Sequence, residues 1–259
     1  MNDPIPFLPD PEELAGPALP GKVFVGADKY VTYEKLGADL LACAYDCVAK
    51  FGDFHFAVSG GSTPFPFYLS LMTDPHYRGF PWASTHLWIV DERRVSFDNE
   101  LSNWGKIGEI FVGHSGIADS NVHPMMATDV DAAPKYEAQL RECLGRRAVS
   151  EQRLDFVLLG MGDNGHTASL FPETKVLDEQ TRWVGECDGP TVTPPARVTM
   201  TYPLLNASRC VAVLVLGAGK TEMIARIAKR TDDFHVLPIL GIKPSPGSLA
   251  WYLDRAACG

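Results

Sequence analysis

A histidine in a glycine-rich turn directly after an apolar run is the feature of this chain best suited to chemistry. Leu154 to Leu159 leads into Gly160-Met161-Gly162-Asp163-Asn164-Gly165-His166-Thr167-Ala168-Ser169-Leu170-Phe171-Pro172. The run reads as a buried strand, and the glycines let the backbone bend sharply beside a ligand. An imidazole at a strand end, with an ordinary pKa of about 6.5, accepts a proton near neutrality. A general base so placed is worth about 10²–10⁴ in rate. A purely structural histidine is the alternative reading of the same residue.

Three further segments carry polar chemistry. Ser59-Gly60-Gly61-Ser62-Thr63-Pro64 follows a strand and opens a helix, with Pro64 suited to the first helical turn. Backbone N–H groups of Gly60 and Gly61, the hydroxyls of Ser62 and Thr63 and the helix N-terminus together make an anion cradle; an ordinary capped Gly-Gly turn is the plainer reading. Asp91-Glu92-Arg93-Arg94-Val95 lies just past another strand, where ligands of open α/β sheets bind. Arg93 or Arg94 can hold a phosphate or carboxylate as a fork. Asp91 or Glu92 can orient an arginine, contact a sugar hydroxyl or move a proton, and a solvated charge run is the competing reading. Ser102-Asn103 behind it reads as a helix cap. Gly217-Ala218-Gly219-Lys220-Thr221 ends like a P-loop, but position 214 holds Leu214 where that motif needs its first glycine, which leaves Lys220 as a single phosphate charge.

Other chemistries lack their spacing. The histidines are scattered, with no H-x-x-x-H and no cysteine pair at zinc spacing, so no metal is expected. No G-x-S-x-G elbow is present, which points to water as the nucleophile.

These segments must be held by a scaffold. Apolar runs alternate with amphipathic stretches, which predicts an α/β fold: a mostly parallel central sheet with helices on both faces. Strands are expected at Val23-Val25, His55-Ser59, Leu87-Val90, Asp155-Leu159, Arg197-Thr201 and Val211-Leu216. Helices are expected over 30–50, Pro64-Met72, Ser102-Phe111, Ala132-Leu144, Thr221-Lys229 and Ser248-Ala257, and Cys187 to Pro195 reads as a loop. At 259 residues and 46% hydrophobic content, one domain over 23–259 is expected, preceded by a loosely packed extension over 1–22. A formal charge of −9 argues against nucleic acid as a partner. The proline-rich, acidic opening has no signal-peptide pattern, and no apolar run is long enough for a membrane span, so a cytoplasmic protein, monomeric or a small homo-oligomer, is expected. Six cysteines without a C-x-x-C pair read as reduced, packed thiols.

With these pieces in place, the chain resembles the 6-phosphogluconolactonases of the glucosamine/galactosamine-6-phosphate isomerase superfamily. The resemblance covers about Val23 to Ala257. It rests on Ser59 to Pro64, Asp91 to Val95 with Ser102-Asn103, Gly160 to Pro172, Pro194-Pro195-Ala196-Arg197-Val198-Thr199, and Gly217 with Lys220. The related isomerase/deaminases typically continue Ile-Ala-Phe-Asn-Glu after the Gly-His pair, whereas Thr-Ala-Ser-Leu-Phe-Pro follows His166 here. The resemblance implies hydrolysis of a small sugar-phosphate lactone, 6-phospho-D-glucono-1,5-lactone, to 6-phospho-D-gluconate, the second step of the oxidative pentose phosphate pathway, with no cofactor. It implies a catalytic set of His166, Asn164 and Asp91, with His166 as base. The phosphate would rest on Gly60, Gly61, Ser62 and Thr63, with Arg93, Arg197 and Lys220 as cations. Two departures stand out. The family usually has Asp-Gly-His where Asn164 stands, so the hydrogen bond to the histidine is kept and the charge lost, with Asp163 beside it as a replacement. In Leu237-Pro238-Ile239-Leu240, large residues follow the proline where the family more often has small ones. An isomerase/deaminase and a non-catalytic sugar-phosphate sensor are the competing functions.

Overall fold

The computed structural model describes residues 16–259. Ten strands and seven α-helices follow one another along it: β1 Lys22–Gly26, α1 Lys29–Phe51, β2 Phe54–Val58, α2 Phe65–Thr73, β3 Thr85–Ile89, β4 Asp91–Arg93, α3 Asn103–Phe111, β5 Val122–His123, α4 Ala132–Leu144, β6 Phe156–Gly160, β7 Val184–Asp188, β8 Ala196–Met200, α5 Tyr202–Ala207, β9 Cys210–Val215, α6 Thr221–Lys229, β10 Ser248–Asp254 and α7 Arg255–Cys258. The main sheet has seven strands in the order β1-β10-β9-β6-β2-β3-β5, and every pairing in it is parallel. Its central strands are almost wholly buried and mostly apolar, as parallel strands covered on both faces must be. From β2 the chain winds outward through β3 to β5, then returns to β6 on the other side of β2 and winds outward through β9 to β10. That reversal opens a crevice at the carboxyl ends of β2 and β6.

Local chemistry sets the helix ends. The Asp28 carboxylate accepts from the Tyr30 and Val31 N–H groups at 2.7 and 3.0 Å and starts α1. Gly52, at φ 84°, ends it by donating back to the Val48 carbonyl. No described helix is long and apolar enough to cross a membrane.

Several expectations are corrected. Ser248–Asp254 is a strand between β1 and β9, and only Arg255–Cys258 is helical. Leu249, Trp251, Tyr252 and Leu253 are all buried, and an apolar run covered on both faces gives no periodicity to separate strand from helix. Asp91–Arg93 and Cys187-Asp188, read as loop, belong to β4 and β7, which flank β8 in a separate three-stranded antiparallel sheet. Their charged residues and Gly185 hide them from any propensity reading. The expected Arg197-Thr201 strand is β8 of this small sheet and not part of the main one. Of the expected 1–22 extension, 1–15 lies outside the described residues. Just before β1, Leu19 is buried and the Trp251 indole donates to the Pro20 carbonyl at 2.8 Å, so this stretch is packed.

Candidate active site

The crevice at the carboxyl ends of β2 and β6 is a cleft of about 240 Å³. Its walls come from Ser59 to Pro64 after β2, Asp91 and Arg93 of β4, Asn103 of α3, Gly160 to Gly162 and His166 to Ala168 at and after the end of β6, and Lys220 after β9. The topology therefore collects segments that are far apart in sequence.

His166 stands on the β6 turn. Its Nδ1 lies 2.5 Å from Asn164 Oδ1, and its backbone N–H donates to the same oxygen at 3.2 Å. Two donors converging on one atom identify that atom as the amide oxygen, so Nδ1 carries the proton and Nε2 keeps its lone pair. The Phe171 ring lies 4.7 Å from the imidazole, centroid to centroid. Burial pulls the His166 pKa below its ordinary value, Asp91 pushes it back up, and Lys220 and Arg197 lower it. The imidazole is thus neutral at pH 7 and able to accept a proton. The turn is built for it: a Cβ on Gly162 would stand 2.0 Å from His166 Cε1, and Gly165 takes φ 76°. The 237–240 segment braces the turn, since Ile239 N–H donates to the Gly165 carbonyl at 2.9 Å and the Leu237 side chain packs against Gly165. We expect Gly162→Ala to displace the ring and lower kcat about 100-fold with little change in KM, because misplacement by about 1 Å costs on that order. Steady-state kinetics decide it, and an unchanged kcat would show that the ring's position is not critical.

The anion cradle is formed by the loop after β2. Among the described residues, the N–H groups of Gly60, Gly61, Ser62 and Thr63 donate to no protein acceptor. Gly61 has φ 107°, and a Cβ on Gly60 would collide with Asn103 Oδ1 at 2.0 Å. Tyr68 and Tyr33 donate to the carbonyls of Ser59 and Thr63 at 2.8 and 3.1 Å, turning those oxygens away from an incoming anion.

The charged run divides by direction. Asp91 is buried, accepts from Ser169 Oγ at 2.6 Å and faces the cleft. Glu92 points the other way, into the N-terminus of α3. Arg93 lines the cleft and donates to the Leu101 carbonyl at 2.7 Å. Arg94 is committed to Glu186 at 3.0 Å and to the Asp129 carbonyl at 2.6 Å. Lys220 Nζ reaches the cleft, donating to the Met161 carbonyl at 2.9 Å and pairing with Asp163. Asp163 therefore faces a lysine, and the largest carboxylate influence on the imidazole comes from Asp91.

Not every candidate reaches the cleft. Arg197 is buried beside Arg93 across β4 and β8, with its guanidinium folded onto the Pro194 and Ala196 carbonyls, and it forms no part of the cleft wall. Its positive charge still bears on His166. Asn103 was read only as a cap neighbour, yet it lines the cleft with a buried, unpartnered Oδ1. Ser102 is the cap, accepting from Gly105 N–H at 3.0 Å. Ser169, which holds Asp91, carried no signal beyond its place in the His166 block.

Known proteins resemble this chain in sequence and in fold. The family model described as glucosamine-6-phosphate isomerases/6-phosphogluconolactonase matches residues 27–251. The human GDH/6PGL endoplasmic bifunctional protein is 38% identical over 227 residues, covering 86% of this chain, and this chain spans 28% of that longer protein. A 6-phosphogluconolactonase of Nostoc sp. is 36% identical over 225 residues, covering 85% of this chain and 90% of that one. The crystal structure of 6-phosphogluconolactonase from Thermotoga maritima superposes with a TM-score of 0.76 at 26% identity, covering 90% of this chain and 99% of that one.

Proposed function

Since the chain belongs to the glucosamine-6-phosphate isomerase/6-phosphogluconolactonase family, we propose that it hydrolyses 6-phospho-D-glucono-1,5-lactone to 6-phospho-D-gluconate. The observation that carries this reading is a neutral imidazole with a free Nε2 sharing one cleft with loop N–H groups that donate to no protein acceptor among the described residues. The 6-phosphate rests on Gly60, Gly61, Ser62 and Thr63, with Arg93 and Lys220 supplying positive charge. His166 Nε2 takes a proton from water as the water oxygen bonds to C1. The carbonyl electrons move onto the lactone oxygen, which backbone N–H donors of the two glycine turns stabilise at about 3 kcal/mol each. The tetrahedral intermediate collapses, the bond from C1 to the ring oxygen breaks, and the imidazolium returns its proton to that oxygen. Asp91 stabilises the imidazolium from 7% exposure, supplying from another strand the charge that Asn164 lacks. Residues 23–259 act as one domain, and the protein works in the cytoplasm.

The direct test is lactone hydrolysis above the spontaneous rate, run beside ammonia release from glucosamine 6-phosphate. Hydrolysis without ammonia supports the lactonase; ammonia release would make the chain a deaminase, and neither would leave a sensor.

Asn164→Asp tests the orienting residue. A carboxylate beside Nδ1 stabilises the imidazolium and raises the His166 pKa. The neutral ring is the active form, so activity falls as pH drops through that pKa. The wild-type acidic limb should lie below about 6.5, because burial depresses the group. The aspartate variant should move it up by about one unit and raise kcat above the limb by about tenfold. Superimposable kcat/KM profiles would show that position 164 does not act through the imidazole.

A further inference from the structure

Toward the N-terminal ends of β2 and β3, away from the cleft, the main sheet carries a histidine cluster with no part in lactone hydrolysis. Register places His55 beside His86 and Trp88 beside His123. The rings stack on one face, with centroids 4.5 Å apart for His55 and His86, 5.3 Å for His86 and His123, and 3.7 Å for Trp88 and His123. Helix α4 brings Cys143 against them. One potential ligand atom from each of His86, His123 and Cys143 lies within 4.8 Å of the other two. We propose that these three side chains bind a divalent transition-metal cation of the zinc class, with water as fourth ligand.

The distances suit that cation. His86 Nδ1 and His123 Nε2 are 3.0 Å apart. Two nitrogens bound tetrahedrally at about 2.0–2.1 Å are separated by roughly 3.3 Å, so the pair needs to open by only a few tenths of an ångström. Imidazole and thiolate together select zinc-like metals over magnesium or calcium. Binding needs both imidazoles neutral and Cys143 as the thiolate. His86, His123 and Cys143 are buried and retain 8, 8 and 9% exposure.

A second group, Asp53, His55 and His86, also converges, but its donors are engaged. Arg147 holds Asp53 through Nε at 2.9 Å, and the Trp88 indole donates to His55 Nδ1 at 3.1 Å. That bond puts the His55 proton on Nε2, leaving no lone pair for a metal. The His86 and His123 nitrogens, by contrast, are joined by one shared proton. On binding, the donor ring moves that proton to its other nitrogen, Cys143 releases its thiol proton to solvent, and the sulfur and both nitrogens give lone pairs to the cation.

The full chain, freed of metal and titrated with Co²⁺, tests this. A near-ultraviolet thiolate-to-cobalt charge-transfer band should saturate at one equivalent and be abolished by competing Zn²⁺. Cys143→Ser should remove the band. His123→Gln should weaken Co²⁺ affinity at least tenfold with circular dichroism unchanged, which separates ligand loss from misfolding. Cys210→Ser, whose sulfur lies 3.9 Å from Cys43 Sγ and outside the three-ligand set, should leave the band intact. Absence of a thiolate band in the wild type, its survival in Cys143→Ser, or its loss in Cys210→Ser overturns the proposal.

Discussion

His166→Ala is expected to lower kcat for lactone hydrolysis by about 10³-fold, within the range of a positioned general base, while 6-phosphogluconate affinity changes by less than about threefold. The two effects separate because different parts of the cleft carry them. The base stands on the turn after β6, fixed by Asn164 and flanked by Phe171. The phosphate donors belong to the loop after β2, whose shape depends on Asn103, Tyr33 and Tyr68 and on no atom of His166. Removing the imidazole deletes an interaction made as the water is deprotonated and leaves ground-state contacts in place, so kcat and kcat/KM fall together. The uncatalysed hydrolysis must be subtracted at each lactone concentration. His166→Gln, of similar bulk but unable to take a proton, should match alanine. Turnover within a few-fold of wild type in either variant would refute His166 as base, and parallel losses in product binding and rate would make it a binding residue.

Legibility in the sequence followed the range of the forces involved. Helices Ala132–Leu144 and Thr221–Lys229 lie where their periodicity put them, because one buried stripe on a helix is written in consecutive residues. The strands beneath the cleft were visible for a similar reason, since short apolar runs bounded by glycine have few other uses. Tertiary pairing was not visible. Strands β4 and β7 exist because β8 lies between them, and β10 is a strand because β1 and β9 cover its edges. The same holds at the site. The turn of His166 and the loop of Gly60 announce themselves through glycine, but nothing local says that Arg93 faces the cleft while Arg94 turns to Glu186, or that Arg197 folds onto carbonyls. The histidines looked scattered because 55, 86 and 123 are far apart in sequence, and only parallel register makes them neighbours.

Glu92 carries the other large expected effect, on stability first. Its side chain is 0% exposed, and its two oxygens accept from the N–H groups of Arg93, Asn103 and Trp104 at 2.8, 2.8 and 2.7 Å and from Ser102 Oγ at 3.0 Å. Burial pushes its carboxyl above the ordinary carboxylate value, and these hydrogen bonds oppose the push. The carboxylate thereby satisfies N–H groups in the first turn of α3 that have no partner within the helix, at the end where negative charge is favoured. Glu92→Ala leaves those donors buried without an acceptor and should cost about 3–5 kcal/mol. Glu92→Gln keeps one acceptor oxygen but turns an amide NH₂ toward another donor, for about 2 kcal/mol. The urea midpoint at constant m measures both. Activity should fall as well, at temperatures where the glutamine variant is fully folded. The first residue of α3 is Asn103, which fits against Gly60 of the anion loop and donates to the Asp91 carbonyl at 2.9 Å. A loosened helix start therefore disturbs the phosphate donors and the carboxylate facing His166 together, and kcat/KM should drop at least tenfold. A Glu92→Ala midpoint shift worth less than about 0.5 kcal/mol would show that water satisfies these donors. Full activity in a destabilised glutamine variant would instead confine Glu92 to holding the fold.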